Sequence, residues 1–99
     1  EGDLLLPTLP SGTWVREVYF DASGIAYADF SREIRDAHSG GSSAELLTVE
    51  SVVNTLARNV PQVKAVQFLV EGRTVTTLAG HVDLTMPLRP DPSRAKATP

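Results

Sequence analysis

The longest regular pattern of hydrophobic and polar positions lies between residues 44 and 60. Apolar side chains recur there every three or four residues, as one face of an α-helix requires; they are Leu46, Val49, Val53, Leu56 and Val60. Ser42-Ser43-Ala44-Glu45 has the spacing of a capping box, and Pro61 ends the pattern. The pattern therefore predicts one main amphipathic helix with a single buried face.

Segments rich in β-forming residues precede this helix. Residues 13–21 contain aromatic and β-branched side chains, and Asp21-Ala22-Ser23-Gly24 has the composition of a turn. Residues 25–30 then form the second strand of a hairpin. Ala26 and Ala28 share one face of that strand, and their small size indicates that a helix lies close above them.

A second pair of strands follows the helix. Residues 63–70 are almost continuously apolar, Glu71-Gly72 suits a two-residue hairpin turn, and residues 73–78 return as a strand rich in Thr and Val. The predicted fold is α+β, with an antiparallel β-sheet of two hairpins and one main helix packed on one face, in the order β-β-α-β-β.

The chain divides into three parts by composition. Residues 1–9 form an extended lead-in that contains Pro7, and residues 10–86 form a single domain. Residues 87–99 are rich in Pro, Arg and Ala without periodicity, which predicts a disordered tail.

Composition excludes several classes of partner. The net charge of −3 and the pI near 5.2 argue against a nucleic-acid partner, which needs a basic face. No apolar run approaches the roughly 18 residues of a membrane span, so we expect no direct membrane insertion of this segment. The absence of cysteine excludes disulfides and thiolate metal sites.

Candidate catalytic chemistry is sparse. His81 and Asp83 are two residues apart and could share one face of an extended segment as a hydrolase pair. A metal site needs at least three converging ligands, and neither a third ligand nor a nucleophile is apparent near them. Backbone bonds in the exit turn are the favoured use of both side chains. We therefore predict no enzyme, no metal and no cofactor.

Four other residues are candidates for binding. Asp29 could be a binding carboxylate, or it could accept backbone N–H bonds where the strand becomes the Ser31 turn. Asn54 lies at the flank of the helix stripe, where it could bond a ligand or, more in keeping with its position, a neighbouring loop. Trp14 and Tyr19 could stack on a saccharide such as peptidoglycan, or cover a sheet edge.

Several segments together, in order, resemble the GerM domain family of sporulation and spore germination proteins. They are Leu9-Pro10-Ser11-Gly12-Thr13, the strand from Gly24 to Ser31 (GIAYADFS), Val53-Asn54-Thr55-Leu56, the segment from Val63 to Gly72 (VKAVQFLVEG) and Gly80-His81-Val82-Asp83-Leu84. The resemblance covers about residues 9–88. It matches the C-terminal portion of the family domain, whose first strand and helix have no counterpart here.

The resemblance implies a fold similar to the ring-building motifs of secretion and sporulation complexes. It also implies a non-catalytic assembly module of the cell envelope, located outside the cytoplasm and anchored as a lipoprotein through an upstream segment. Because the family's first strand and helix are not matched, a sheet edge is expected to be open. We expect a protein partner or self-association through that edge; binding of a saccharide is the alternative.

Overall fold

A computed structural model describes residues 9–10, 12–36, 38 and 41–90 of the 99-residue chain. Most of the predicted lead-in and tail, residues 1–8 and 91–99, lies outside the described residues. The elements in chain order are β1 (Val15–Phe20), β2 (Ile25–Phe30), α1 (Glu33–Asp36), α2 (Ser42–Asn59), β3 (Ala65–Val70) and β4 (Arg73–Thr74). The prediction of an α+β fold with one main helix is confirmed.

The four strands form a mixed sheet in the order β1-β2-β3-β4. The outer pairs, β1 with β2 and β3 with β4, are antiparallel, whereas β2 and β3 are parallel from Ile25↔Ala65 to Phe30↔Val70. The predicted arrangement, a purely antiparallel sheet, is therefore wrong. The cause is α2, which carries the chain back to the starting end of β2, so that β3 runs beside β2 in the same direction.

The sequence of β3 is typical of a strand in the centre of a sheet. All six of its residues are buried, so both faces of the strand are covered. A strand that is buried on both faces reads as a continuous apolar run, whereas a strand with one wet face alternates. The run from Ala65 to Val70 is of the first kind, interrupted only by Gln67.

Both predicted hairpin turns are confirmed, and each depends on positive backbone angles. Gly24 has φ +96°, and a Cβ at this position would lie 3.0 Å from the Gln62 carbonyl oxygen. Glu71 and Gly72 have φ of +52° and +79°, the pair of positive angles that a type I′ turn requires. The second turn therefore forces a non-glycine residue into the left-handed region.

The hydrophobic core lies between α2 and one face of the sheet. Phe30 of β2 and Phe68 of β3 stack at its centre, with ring centroids 5.9 Å apart. The buried stripe of α2 faces these rings and consists of Val49, Val52, Val53 and Leu56. Ala26 and Ala28 are buried in the same cluster, as the predicted close approach of a helix requires.

The chain after β4 folds back across the molecule. β4 ends at Thr74, sooner than the predicted strand 73–78. Residues 75–90, the exit segment, bring Leu78 and Leu84 into the core. Leu88 exchanges two backbone hydrogen bonds of 2.8 Å with Val66 of β3. Leu88, which the sequence analysis assigned to a disordered tail, is thus paired with the sheet.

The buried stripe of α2 generates a stability prediction. Leu56 is fully buried, whereas Leu47 on the same helix is 44% exposed. We expect Leu56→Ala to lower the free energy of unfolding by about 2–5 kcal/mol, because it leaves a cavity. Leu47→Ala should cost less than about 1 kcal/mol. Urea denaturation of the two variants measures the difference; equal losses would contradict the assigned core.

Candidate functional site

The outer edge of β1 is an open edge of the sheet among the described residues. β1 is terminal in the sheet order, so this edge has no strand beside it among the described residues. Asp21 donates its N–H to the Ile25 carbonyl across the hairpin at 3.0 Å. Residues of an antiparallel strand alternate between facing the partner and facing away. The backbone N–H and C=O groups of Val18 and Phe20 therefore point to the open edge.

The side chains along this edge are unusually apolar for exposed positions. Tyr19 is 44% exposed and Phe20 is 47% exposed, and Val18 beside them is half-buried against the core. Opposed residues share a face, so Val18 and Phe20, opposite Ala28 and Ala26, lie on the α2 side of the sheet. Proteins usually protect such an edge with charges, proline or a bulge, and Val18–Phe20 carries none of these.

The first half of β1 is protected differently. The register shifts between Val15 and Glu17, as in a β-bulge, so that Arg16 and Glu17 together oppose Asp29. Arg16 approaches the Asp29 carboxylate at 3.5 Å and the Glu71 carboxylate at 3.8 Å. The bulge thus places the positive charge of Arg16 beside Asp29, the residue that also opposes Glu17.

The candidate residue Asp29 is buried and serves the turn between β3 and β4. Its Oδ1 accepts the Gly72 N–H at 2.9 Å, so its backbone donor belongs to the Glu71-Gly72 turn and not to the Ser31 turn. Glu71 in turn accepts the Arg32 N–H at 3.1 Å. The cluster fastens this turn to β1 and β2.

Trp14 and Tyr19 lie near opposite ends of β1. Trp14 lies beside the end of β2. Its backbone N–H donates to the Ser31 hydroxyl at 3.0 Å, and its backbone carbonyl accepts the Ser31 N–H at 2.9 Å. Tyr19 opposes Tyr27, nearer the start of β2. Five residues of strand separate the two aromatic residues by roughly 16 Å, so one sugar ring cannot stack on both.

Tyr19 has a different aromatic neighbour. Its ring stacks on that of Tyr27, with centroids 5.1 Å apart and planes inclined by 12°. The Tyr27 hydroxyl donates to Asp21 Oδ2 at 3.1 Å, and this bond raises the pKa of Tyr27. The Ser23 hydroxyl and the Ile25 N–H bond the Asp21 carboxylate and hold its pKa below the usual value. Sequence reasoning missed the pair, although the register of a two-strand hairpin could have found it.

Glu45 is the polar residue that sequence reasoning most misjudged. The predicted capping box is wrong, because the N-cap of α2 is Gly41, and no side chain of the described residues caps the helix. The Glu45 side chain has no exposed surface and bonds the exit segment instead. It accepts backbone N–H bonds from Leu78, Ala79 and His81 at 2.8, 2.9 and 2.8 Å. The sequence did contain a signal that Glu45 is buried, because it lies four residues before Val49 on the buried stripe.

His81 and Asp83 both lie in the exit segment. Both side chains are exposed. Asp83 Oδ1 accepts the Thr85 N–H at 2.9 Å and the Thr85 hydroxyl at 2.6 Å; these bonds lower its pKa. Within the described ranges, no group of three or more His, Asp or Glu residues could hold a metal ion.

Asn54 lines a small cavity between α2 and the exit segment. The cavity has a volume of about 70 Å³ and is mainly apolar; its lining includes Val49, Val53, Val82 and Leu88. Whether the Asn54 amide bonds a neighbouring loop or a ligand stays a prediction. The cavity is too small for more than a small side chain or a few atoms of a ligand.

Comparison with known proteins identifies the family of this chain. The family model Germane, described as "Sporulation and spore germination", matches residues 2–76. The chain belongs to this family. A search of curated protein sequences found no significant match.

Solved structures show the same fold. A crystal structure of a candidate lipoprotein from Clostridium perfringens is similar at 26% identity and a TM-score of 0.72, over 86% of this chain and 54% of that one. Tandem GerMN domains of the sporulation protein GerM from Bacillus subtilis match at 25% identity and a TM-score of 0.65, over 82% and 27%.

The first GerMN domain of that B. subtilis protein is similar at 24% identity and a TM-score of 0.68, over 86% of this chain and 60% of the other, which shows the fold. The chain thus spans between about a quarter and three fifths of the length of these structures. That the family domain contains a further strand and helix ahead of this part stays a prediction. None of the described helices is both long and apolar enough to cross a bilayer.

The buried Glu45 carboxylate predicts a pH dependence of stability. Burial raises its pKa, but the backbone bonds from Ala79, Leu78 and His81 outweigh burial, so its folded pKa lies below the ordinary 4.5. The ionised carboxylate therefore contributes stability above about pH 4.5, and this contribution is lost as pH falls through the folded pKa.

We expect Glu45→Gln to lower the free energy of unfolding by about 2–4 kcal/mol at pH 7, because buried N–H donors lose a charged acceptor. The loss should shrink as pH falls from about 4.5 through the lower pKa of the folded state, where the wild-type carboxylate becomes protonated as well. Glu17→Gln, which changes an exposed carboxylate, is the control and should cost less than about 0.5 kcal/mol. Urea denaturation between pH 3 and 7 measures both. A loss for Glu45→Gln that does not depend on pH would contradict the assigned bonds.

Proposed function

We propose that this chain is a non-catalytic interaction module of a bacterial envelope protein related to sporulation or germination, and that a strand of a partner pairs with the outer edge of β1. The observation that supports this is the edge at Val18–Phe20, where backbone groups without a strand partner among the described residues lie beside exposed aromatic side chains. Strand addition of this kind takes its affinity from main-chain hydrogen bonds and its specificity from alternate side chains.

The placement of the acidic side chains supports a role without catalysis. Glu45 and Asp29 are buried and bonded to backbone N–H groups. The Asp21 and Asp83 carboxylates accept backbone N–H bonds within turns. A general acid or base would need a site where such a group could reach a substrate. A location outside the cytoplasm, with anchoring as a lipoprotein through an upstream segment, is part of the proposal; the lipoprotein neighbour supports it.

A pair of matched variants tests the edge. Phe20→Lys places a charge on the open edge, a substitution that opposes strand addition. Leu47→Lys makes the same change at a residue of equal exposure on α2, 44% against 47% for Phe20. Each tagged protein is incubated with the envelope fraction of its source organism, and the retained proteins are identified by mass spectrometry.

We expect a partner that wild type and Leu47→Lys retain and that Phe20→Lys loses, because only the edge has changed. Melting temperatures of the two variants serve as the control for folding. Retention of the same proteins by both variants would contradict binding through β1.

Binding of a saccharide is the second candidate, and the stacked pair of Tyr19 and Tyr27 favours it. Stacking would use the exposed face of Tyr19, so Tyr19→Ala should abolish binding of soluble peptidoglycan fragments, while Trp14→Ala at the far end of β1 should leave it unchanged. Calorimetric titration measures both variants. Wild-type protein that shows no binding at millimolar fragment would exclude this candidate.

A further inference from the structure

Charge along the β1 edge restricts the kind of strand that can pair with it. Glu17 opposes Asp29, and Tyr19 opposes Tyr27, so these side chains lie on the face of the sheet opposite α2. The Asp21 carboxylate bonds the Tyr27 hydroxyl and therefore reaches the same face. Two exposed carboxylates thus flank Tyr19 along the edge, two residues away on either side.

Neither carboxylate is neutralised by a basic side chain of the described residues. The ion pairs found there join Arg16 to Asp29 and Glu71, and Arg35 to Asp36. Lys64 lines the same surface recess as Asp21, but it forms no ion pair with it within the described part of the chain. Glu17 and Asp21 therefore present negative charge to any strand that docks on the edge.

A second copy of the chain fits this edge poorly. The antiparallel register that uses the outward backbone groups of both Val18 and Phe20 places Tyr19 opposite Tyr19 of the other copy. Glu17 then opposes Asp21 of the other copy, twice in the symmetric pair, and directly opposed like charges are destabilising. A slip in one direction meets the bulge at Arg16, and a slip in the other runs into the hairpin turn.

We propose that the β1 edge accepts an extended segment of a different protein in which basic and apolar residues alternate. The proposal rests on the interaction function above and specifies which side chains the partner strand carries. Its Lys or Arg side chains lie beside Glu17 and Asp21, and its apolar side chains lie on the α2 face beside Val18 and Phe20. A recess of about 280 Å³, lined by Phe20, the hairpin turn and residues 62–64, adjoins this face and can receive one apolar side chain.

Two capped nine-residue peptides are the probes, one alternating Lys with Val and the other alternating Glu with Val. Each is titrated into the isotopically labelled 99-residue chain, and the amide NMR signals of Val18 and Phe20 are followed. We expect the basic peptide to bind about tenfold more tightly at low salt, because two opposed charge pairs change sign between the peptides. The difference should shrink as salt screens exposed charges.

A charge reversal on the protein distinguishes the edge from general attraction. Glu17→Lys reverses one of the two charge pairs, so it should weaken binding of the basic peptide about threefold, strengthen binding of the acidic one by about the same factor, and abolish the preference between them. Glu33→Lys makes the same change of net charge on α1 and should leave the preference intact. A basic peptide that is N-methylated at alternate residues, along one edge, should lose binding if strand pairing holds it.

Different outcomes overturn the two proposals, strand pairing at β1 and a basic partner strand. Equal binding of both peptides at Val18 and Phe20 would overturn the basic partner and leave strand pairing standing. Signals that move only outside β1, or no binding by either peptide, would overturn both proposals. Association of the chain with itself at micromolar concentration in sedimentation, abolished by Phe20→Lys, would overturn the choice of a different protein and keep the edge.

Discussion

The parallel pairing of β2 with β3 is the constraint on which the rest of the structure depends. Two parallel strands cannot be joined by a tight turn, so the chain between them must cross over, and α2 makes that crossing. The crossing puts the buried stripe of α2 against the sheet and makes β2 and β3 the central strands. Each hairpin then extends outward, and β1 and β4 become the outer strands.

The two outer strands differ in how the sheet edge beside them is covered. Beyond β4, the exit segment returns and bonds Val66 through Leu88, so β3 is paired along most of its length. Glu45 stabilises this return, because its carboxylate binds three N–H groups of the exit segment from the first turn of α2. Breaking such a buried charged contact leaves donors unsatisfied, which costs far more than an exposed ion pair contributes. β1 has no comparable cover within the described residues.

Local patterns sufficed for the elements, the core and both turns. The spacing of Val49, Val53 and Leu56 identified α2, and the small side chains of Ala26 and Ala28 indicated its close approach. The direction of β3 was missed because hairpin signals describe neighbouring strands, whereas parallel pairing is set by a connection of many residues. Glu45 was misread for a related reason: the capping-box spacing is local, and its partners at residues 78–81 lie more than thirty positions away.

The same distinction explains the candidate site residues. The Asp29 carboxylate could not be placed from local sequence, because its donor Gly72 lies 43 positions away, whereas Asp83 bonds Thr85 only 2 positions away. The edge of β1 is different, since its composition is already visible in Glu17-Val18-Tyr19-Phe20-Asp21. An exposed strand end with apolar residues between acids is costly for a chain that stays alone, because unpaired backbone groups invite association. Under the proposal, the acids oppose pairing with a copy of the chain and leave pairing with a basic strand open, so one short segment would both limit and direct assembly.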